Sequence, residues 1–186
     1  MNKALVFLKN LTLTTNQLVM FTCAYVTLVL NAPFILKTSS AILALGEYNI
    51  FFLLSVPIFL LSLSIIIQCF FAFRWITKPL LILLVLISSL IFYSTVTYGI
   101  VFDYGMIQNT FETDRAEALS YVNFSACIFF VVLGILPSIL IAKVKLTYSS
   151  FMGELLSRAK LISGSFATIF LIAIVFYSSY ASIGRN

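Results

Sequence analysis

The sequence predicts an all-α membrane protein, a bundle of five transmembrane helices with an amphipathic helical segment on the outer side between the third and fourth. Three observations carry that prediction. The chain is 62% hydrophobic and only 9% charged, with a mean hydropathy of +1.13, whereas a soluble domain carries about 25% charged residues. Five apolar windows each match the roughly 20 residues needed to cross a hydrocarbon core of about 30 Å. These windows are continuous apolar runs, not alternating ones, so their backbone amides find partners in lipid as helices and not as barrel strands.

The first window, 18–36, starts too late for a cleavable signal peptide. It ends at Asn31 and Pro33 without a small-x-small site, and it reads as a retained span. The second, 50–73, carries Pro57 and Gln68. The third, 79–101, becomes polar toward its outer end through Ser88, Ser89, Tyr93, Ser94, Thr95, Thr97 and Tyr98. Interfacial anchoring accounts for those tyrosines, and the same residues are how the wall of a headgroup site would begin. The fourth, 124–142, contains Gly134 and Pro137. Kinking and close packing explain the prolines, Gln68 and Gly134, because neighbouring helices can satisfy freed backbone groups. Between the fourth window and the fifth, 161–180, lies "FMGELLSRAKL", with Phe151, Leu155, Leu156 and Ala159 on one helical side and Glu154, Arg158 and Lys160 over much of the rest. That pattern predicts a short linker helix with ordinary topology charges, or one lying on the inner leaflet.

Charge sets the orientation. With the N-terminus in the cytoplasm, Lys3, Lys9, Arg74, Lys78, Lys143, Lys145, Arg158 and Lys160 fall inside, and only Lys37, Arg115 and Arg185 fall outside. That is the positive-inside asymmetry, and after five spans it puts the C-terminus outside. The net charge of +5 therefore follows from membrane topology and calls for no nucleic-acid partner. The three cysteines, Cys23, Cys69 and Cys127, all lie in apolar windows, so they imply no disulfide framework. With no histidine in the chain and no carboxylates grouped with cysteines, a self-contained metal centre is not expected. Internal repeats, phosphate loops, nucleophile elbows and dinucleotide fingerprints are also missing, which weakens transporter and familiar enzyme readings.

The outer connection between the third and fourth windows is different. "DYGMIQNTFETDRAE", from Asp103 to Glu117, holds five charged residues, of which four are acidic. On a helix, Asn109, Thr113 and Glu117 recur at i, i+4 and i+8, within about 80° of arc. One face then presents an amide, a hydroxyl and a carboxylate, while Ile107, Phe111 and Ala118 group on another that could rest against the spans. Capping of a helical turn by Asp114 and Glu117 is the bland alternative, and on spacing alone a solvated amphipathic helix is the simpler reading. A carboxylate at a membrane surface also suits the ammonium group of phosphatidylethanolamine.

The stretch "YGIVFDYGMIQNTFETDRAEALSYVN", from Tyr98 to Asn123, resembles the corresponding segment of the lipid A phosphoethanolamine transferases, including the mobile colistin-resistance enzymes. "KPLLILL" from Lys78, "GILPSILIA" from Gly134 and the closing "YASIGRN" resemble the family in the same order, so the likeness runs along essentially the whole chain. The resemblance implies a five-helix anchor for a C-terminal periplasmic domain of alkaline-phosphatase-like α/β fold, in the inner membrane of a Gram-negative cell. It implies a reaction in which phosphoethanolamine passes from phosphatidylethanolamine to a threonine nucleophile at a zinc centre and then to a phosphate of lipid A. Diacylglycerol is left behind, and masking of lipid A charge confers polymyxin resistance. The family's donor-headgroup residues map onto Asn109, Thr113 and Glu117, with Tyr98 added. The nucleophile and the zinc ligands belong to the periplasmic domain, so no catalytic or metal-binding residue is expected within residues 1–186, which alone are expected to be inactive. The partners implied are phosphatidylethanolamine as donor, lipid A as acceptor, the bilayer, and the protein's own periplasmic domain. A noncatalytic module that binds lipid or docks a partner is the rival reading. A channel comes third, because few ionisable groups lie within the spans.

Overall fold

The computed structural model describes residues 12–44, 49–99 and 123–183, with side chains to residue 181. A short strand, β1 (Thr12–Thr14), leads into helix α1 (Thr15–Leu30), whose last five residues form a π-helical turn. Helices α2 (Ala32–Ala44), α3 (Ile50–Phe70) and α4 (Thr77–Tyr98) follow, then α5 (Phe124–Lys143), strand β2 (Lys145–Thr147) and the long helix α6 (Phe151–Ile183). Helices α3 to α6 are each long and apolar enough to cross a membrane. The bent pair α1–α2 passes the same test jointly, which makes four spans, or five if the pair is one. Leu83, Phe170, Leu171 and Ile174 point outward and are well exposed, as expected of a bundle whose solvent is lipid.

The first apolar window is covered by two helices, α1 and α2, which together run beyond it at both ends. Helix α2 leaves α1 at 57°. Asn31 produces the break by donating both its backbone N–H (2.8 Å) and its side-chain Nδ2 (3.2 Å) to the Val26 carbonyl, and Pro33 two residues on has no N–H to continue the ladder. The linker helix expected before the fifth span is corrected too. "FMGELLSRAKL" opens α6 itself, and its 33 residues span about 50 Å at 1.5 Å per residue, well beyond the hydrocarbon thickness. No proline or helix-ending glycine separates the two stretches, so the helix runs through them, and its one non-helical residue is Phe176. The strand pair was also not expected. β1 and β2 run parallel, with Leu13 opposite Leu146, and they join the start of α1 to the end of α5.

Two buried apolar clusters and a few polar contacts join the helices. Leu18, Val19, Cys23 and Val26 of α1 meet Ile65 and Cys69 of α3, Leu81 and Val85 of α4, and Ile141 of α5 in one buried cluster. A second cluster joins Ile42, Phe52 and Val56 to Phe176 and Tyr180 of α6, and the Tyr180 hydroxyl lies 3.0 Å from Ser55 Oγ. Gly134 allows α5 to close on α4, since a Cβ built there would sit 2.5 Å from Ser89 Oγ. Phe130–Ile135 of α5 is π-helical, with the Leu136 N–H reaching the Val131 carbonyl. Pro137 then has no N–H to give this turn, and the Tyr25 hydroxyl of α1 donates to the Leu133 carbonyl at 2.8 Å. At the other side of the same pair of helices, Lys78 Nζ donates to the Ala142 and Val144 carbonyls at 2.9 and 2.6 Å, a cation at a helix C-terminus. Arg74, Lys78, Lys143, Lys145, Arg158 and Lys160 thus gather at one end of the bundle, and Tyr98 at the far end of α4 lies about 30 Å from Lys78 by helix rise.

Candidate donor-headgroup site

Helix α4 ends at Tyr98 because Gly99 adopts φ 66° and returns its N–H to the Thr95 carbonyl at 3.1 Å. That left-handed cap suits glycine. Helix α5 begins at the N-cap Asn123, whose Oδ1 accepts from the Ala126 backbone N–H at 2.9 Å. The two helix ends that bracket residues 100–122 therefore have defined caps.

They are also bonded to one another. Asn123 Oδ1 accepts a second hydrogen bond, from the Tyr93 hydroxyl at 2.9 Å, and Nδ2 donates to the Tyr98 hydroxyl at 3.3 Å. The amide orientation follows from the cap, since only the oxygen can accept from the Ala126 N–H. Tyr93 and Tyr98 meet edge to face with ring centroids 5.9 Å apart, and Phe129 of α5 packs on Tyr93 at 5.6 Å. Tyr93 is buried, whereas Tyr98 is 40% exposed and stands at the rim. Between the helices lies a cavity of about 220 Å³ lined by Leu90, Tyr93, Ser94, Tyr98, Cys127 and Phe130 among others. The hydroxyls of Tyr93, Ser94 and Tyr98 on an otherwise apolar cleft can hydrogen-bond a polar headgroup while the apolar lining takes hydrocarbon.

Of the four residues singled out in the sequence, Tyr98 lies on this cavity. Asn109, Thr113 and Glu117 lie outside the described residues. Tyr93 turns out to be a wall of the cavity as well as an interfacial aromatic. The role of Asn123 was not anticipated, although an asparagine directly before an apolar run is a helix-start signal. Among the described residues, no three His, Cys, Asp or Glu side chains come close enough to hold a metal ion.

Comparison with known proteins places this geometry. Residues 59–186 match the family described as phosphoethanolamine transferase EptA/EptB. The phosphatidylethanolamine transferase Mcr-1 of Escherichia coli is 37% identical over 138 residues, covering 74% of this chain and 26% of that protein. The phosphoethanolamine transferase EptA of Escherichia coli strain K12 is 29% identical over 163 residues, covering 87% of this chain and 30% of that protein. The solved integral membrane lipooligosaccharide phosphoethanolamine transferase A of Neisseria meningitidis superposes with a TM-score of 0.84 at 29% identity, covering 95% of this chain and 33% of that one. The chain thus spans about a quarter to a third of the length of these relatives. With a family match over more than half its residues and a bundle that superposes almost throughout, the chain belongs to the phosphoethanolamine transferase EptA/EptB family and corresponds to its membrane-embedded part.

Proposed function

We propose that these helices are the membrane anchor and donor-lipid site of an enzyme that moves phosphoethanolamine from phosphatidylethanolamine to lipid A, conferring polymyxin and colistin resistance. The enzyme sits in the bacterial inner membrane with its N-terminus in the cytoplasm and its C-terminus in the periplasm, and the bent pair α1–α2 counts as the first of five crossings. The observation that carries the reading is the cavity between α4 and α5, where Tyr98 is bonded to the N-cap of the following span.

In this account Glu117 pairs with the donor ammonium, and Asn109 and Thr113 orient the headgroup by hydrogen bonds. Tyr98 forms the wall against which the headgroup rests, and Asn123 and Tyr93 hold that wall. Positioning the phosphorus at the surface turns its encounter with the nucleophile into a near-unimolecular step. Zinc bound in the periplasmic domain would supply nucleophile activation and charge stabilisation. These helices bind and orient.

Glu117→Gln in the full-length protein keeps size and polarity but removes the charge. Membrane abundance is expected to hold while lipid A modification, read by mass spectrometry, falls at least about tenfold, since a charge-assisted contact is worth roughly 1.5–3 kcal/mol. Unchanged modification at equal abundance rejects the role of Glu117.

A further inference from the structure

We propose that the polar cleft at the basic end of the bundle binds the phosphate headgroup of an anionic phospholipid, at a site separate from the donor site. Two cavities of about 300 and 390 Å³ adjoin there and share Tyr148, Ser149, Glu154 and Arg158 as lining residues. The first is closed by Thr14, Thr15 and Asn16 at the start of α1, which is tied to α6 by a 2.8 Å bond from Asn16 Nδ2 to Ser157 Oγ. The second opens past Trp75 and Phe151.

Two buried polar atoms on this cleft, contributed by different helices, lack partners. Arg158 has a side chain only 15% exposed, and its Nη2 donates to Glu154 Oε2 at 3.2 Å, but its Nε is buried with no hydrogen-bond partner. Thr15 is 4% exposed, and its Oγ1 is likewise buried and unpartnered. Leaving a donor of a buried cation unsatisfied is costly, so the site is built for an acceptor that these residues do not supply. A second guanidinium is held nearby, with Arg74 Cζ 4.4 Å from the Tyr148 ring centroid.

The class of ligand follows from the charges and the rim. Two arginines against one carboxylate leave the cleft net positive, and Lys143, Lys145 and Lys160 lie at the same end, so a negative headgroup is favoured over a zwitterionic one. Trp75 at 86% and Phe151 at 83% exposure flank the opening at the level where aromatic residues meet headgroups, which favours a lipid over free phosphate. By the charge asymmetry this is the cytoplasmic leaflet, so the bound lipid would tether the end of the bundle farthest from the chemistry.

The test uses full-length protein in nanodiscs of phosphatidylcholine and phosphatidylethanolamine with phosphatidylglycerol titrated in, with retained lipid read by native mass spectrometry. Wild-type protein is expected to retain phosphatidylglycerol over both phosphatidylcholine and phosphatidylethanolamine at the competed site. Arg158→Gln and Arg74→Gln are each expected to lower that retention about tenfold, and Thr15→Val about threefold, the scale of charge-assisted and ordinary hydrogen bonds respectively. Should Arg158→Gln not fold, the other two variants decide. Retention unaltered in the folded variants, no preference for the anionic lipid, or displacement of it by millimolar inorganic phosphate would each overturn the proposal.

Discussion

The Tyr93 hydroxyl donates to Asn123 Oδ1 at 2.9 Å, so one side-chain amide caps α5, receives α4 and faces Tyr98. Asn123→Ala is expected to destabilise by about 1 kcal/mol through the lost cap and by roughly a further 0.5–1.5 kcal/mol through the lost Tyr93 bond, since that hydroxyl keeps Tyr98 and Thr97 as hydrogen-bond partners. Asn123→Ser separates these roles, because serine keeps the cap but is too short to bridge both tyrosines. It should recover much of the thermal stability of Asn123→Ala in nanodiscs while leaving transfer reduced. Transfer restored in step with stability would make Asn123 a cap and nothing more.

At the crossing of α4 and α5, Gly134→Ala drives a Cβ to 2.5 Å from Ser89 Oγ, with the Ser89 Cβ at 3.3 Å and Leu86 Cδ2 at 3.4 Å. Overpacking of this kind costs about 1–3 kcal/mol. Adding Ser89→Ala removes the nearest atom and should restore part of the loss, though not all, because the remaining contacts stay tight. Unfolding of the single and double variants in one detergent measures the coupling, and additive losses would place the damage elsewhere.

The prolyl break in α5 gives a non-additive prediction. Tyr25→Phe leaves the Leu133 carbonyl without its 2.8 Å donor and should cost about 1–3 kcal/mol. In a Pro137→Ala background the π turn regains an N–H at residue 137 that can satisfy a carbonyl freed there, so the same Tyr25→Phe change should cost less. Equal losses in both backgrounds would show that Tyr25 acts through packing alone.

The apolar windows located the helices because hydropathy over about 20 residues reports the thickness of the bilayer directly. They could not report direction. The 57° turn after Leu30 depends on an asparagine that bonds back to its own helix, and hydropathy is blind to that. Residues 151–160 look like a separate amphipathic linker because charge is concentrated there, yet no helix breaker follows them, so the helix continues into the span. Tyr98 could be marked from sequence, but its bond to Asn123 spans 25 positions and depends on the packing of α4 against α5. The same holds for Arg158 and Thr15, which share a cleft only because α1 and α6 are tied together at Asn16 and Ser157.

Headgroup-selective lipid binding by the full-length protein tests the central claim most directly. Retained phosphatidylethanolamine is compared with retained phosphatidylcholine, whose quaternary amine has no N–H to donate, before and after Glu117→Gln. The account predicts a preference for phosphatidylethanolamine of about tenfold, the scale of one charge-assisted hydrogen bond, that collapses in the variant. Equal retention of the two lipids by wild-type protein, or a preference that survives Glu117→Gln, would contradict it.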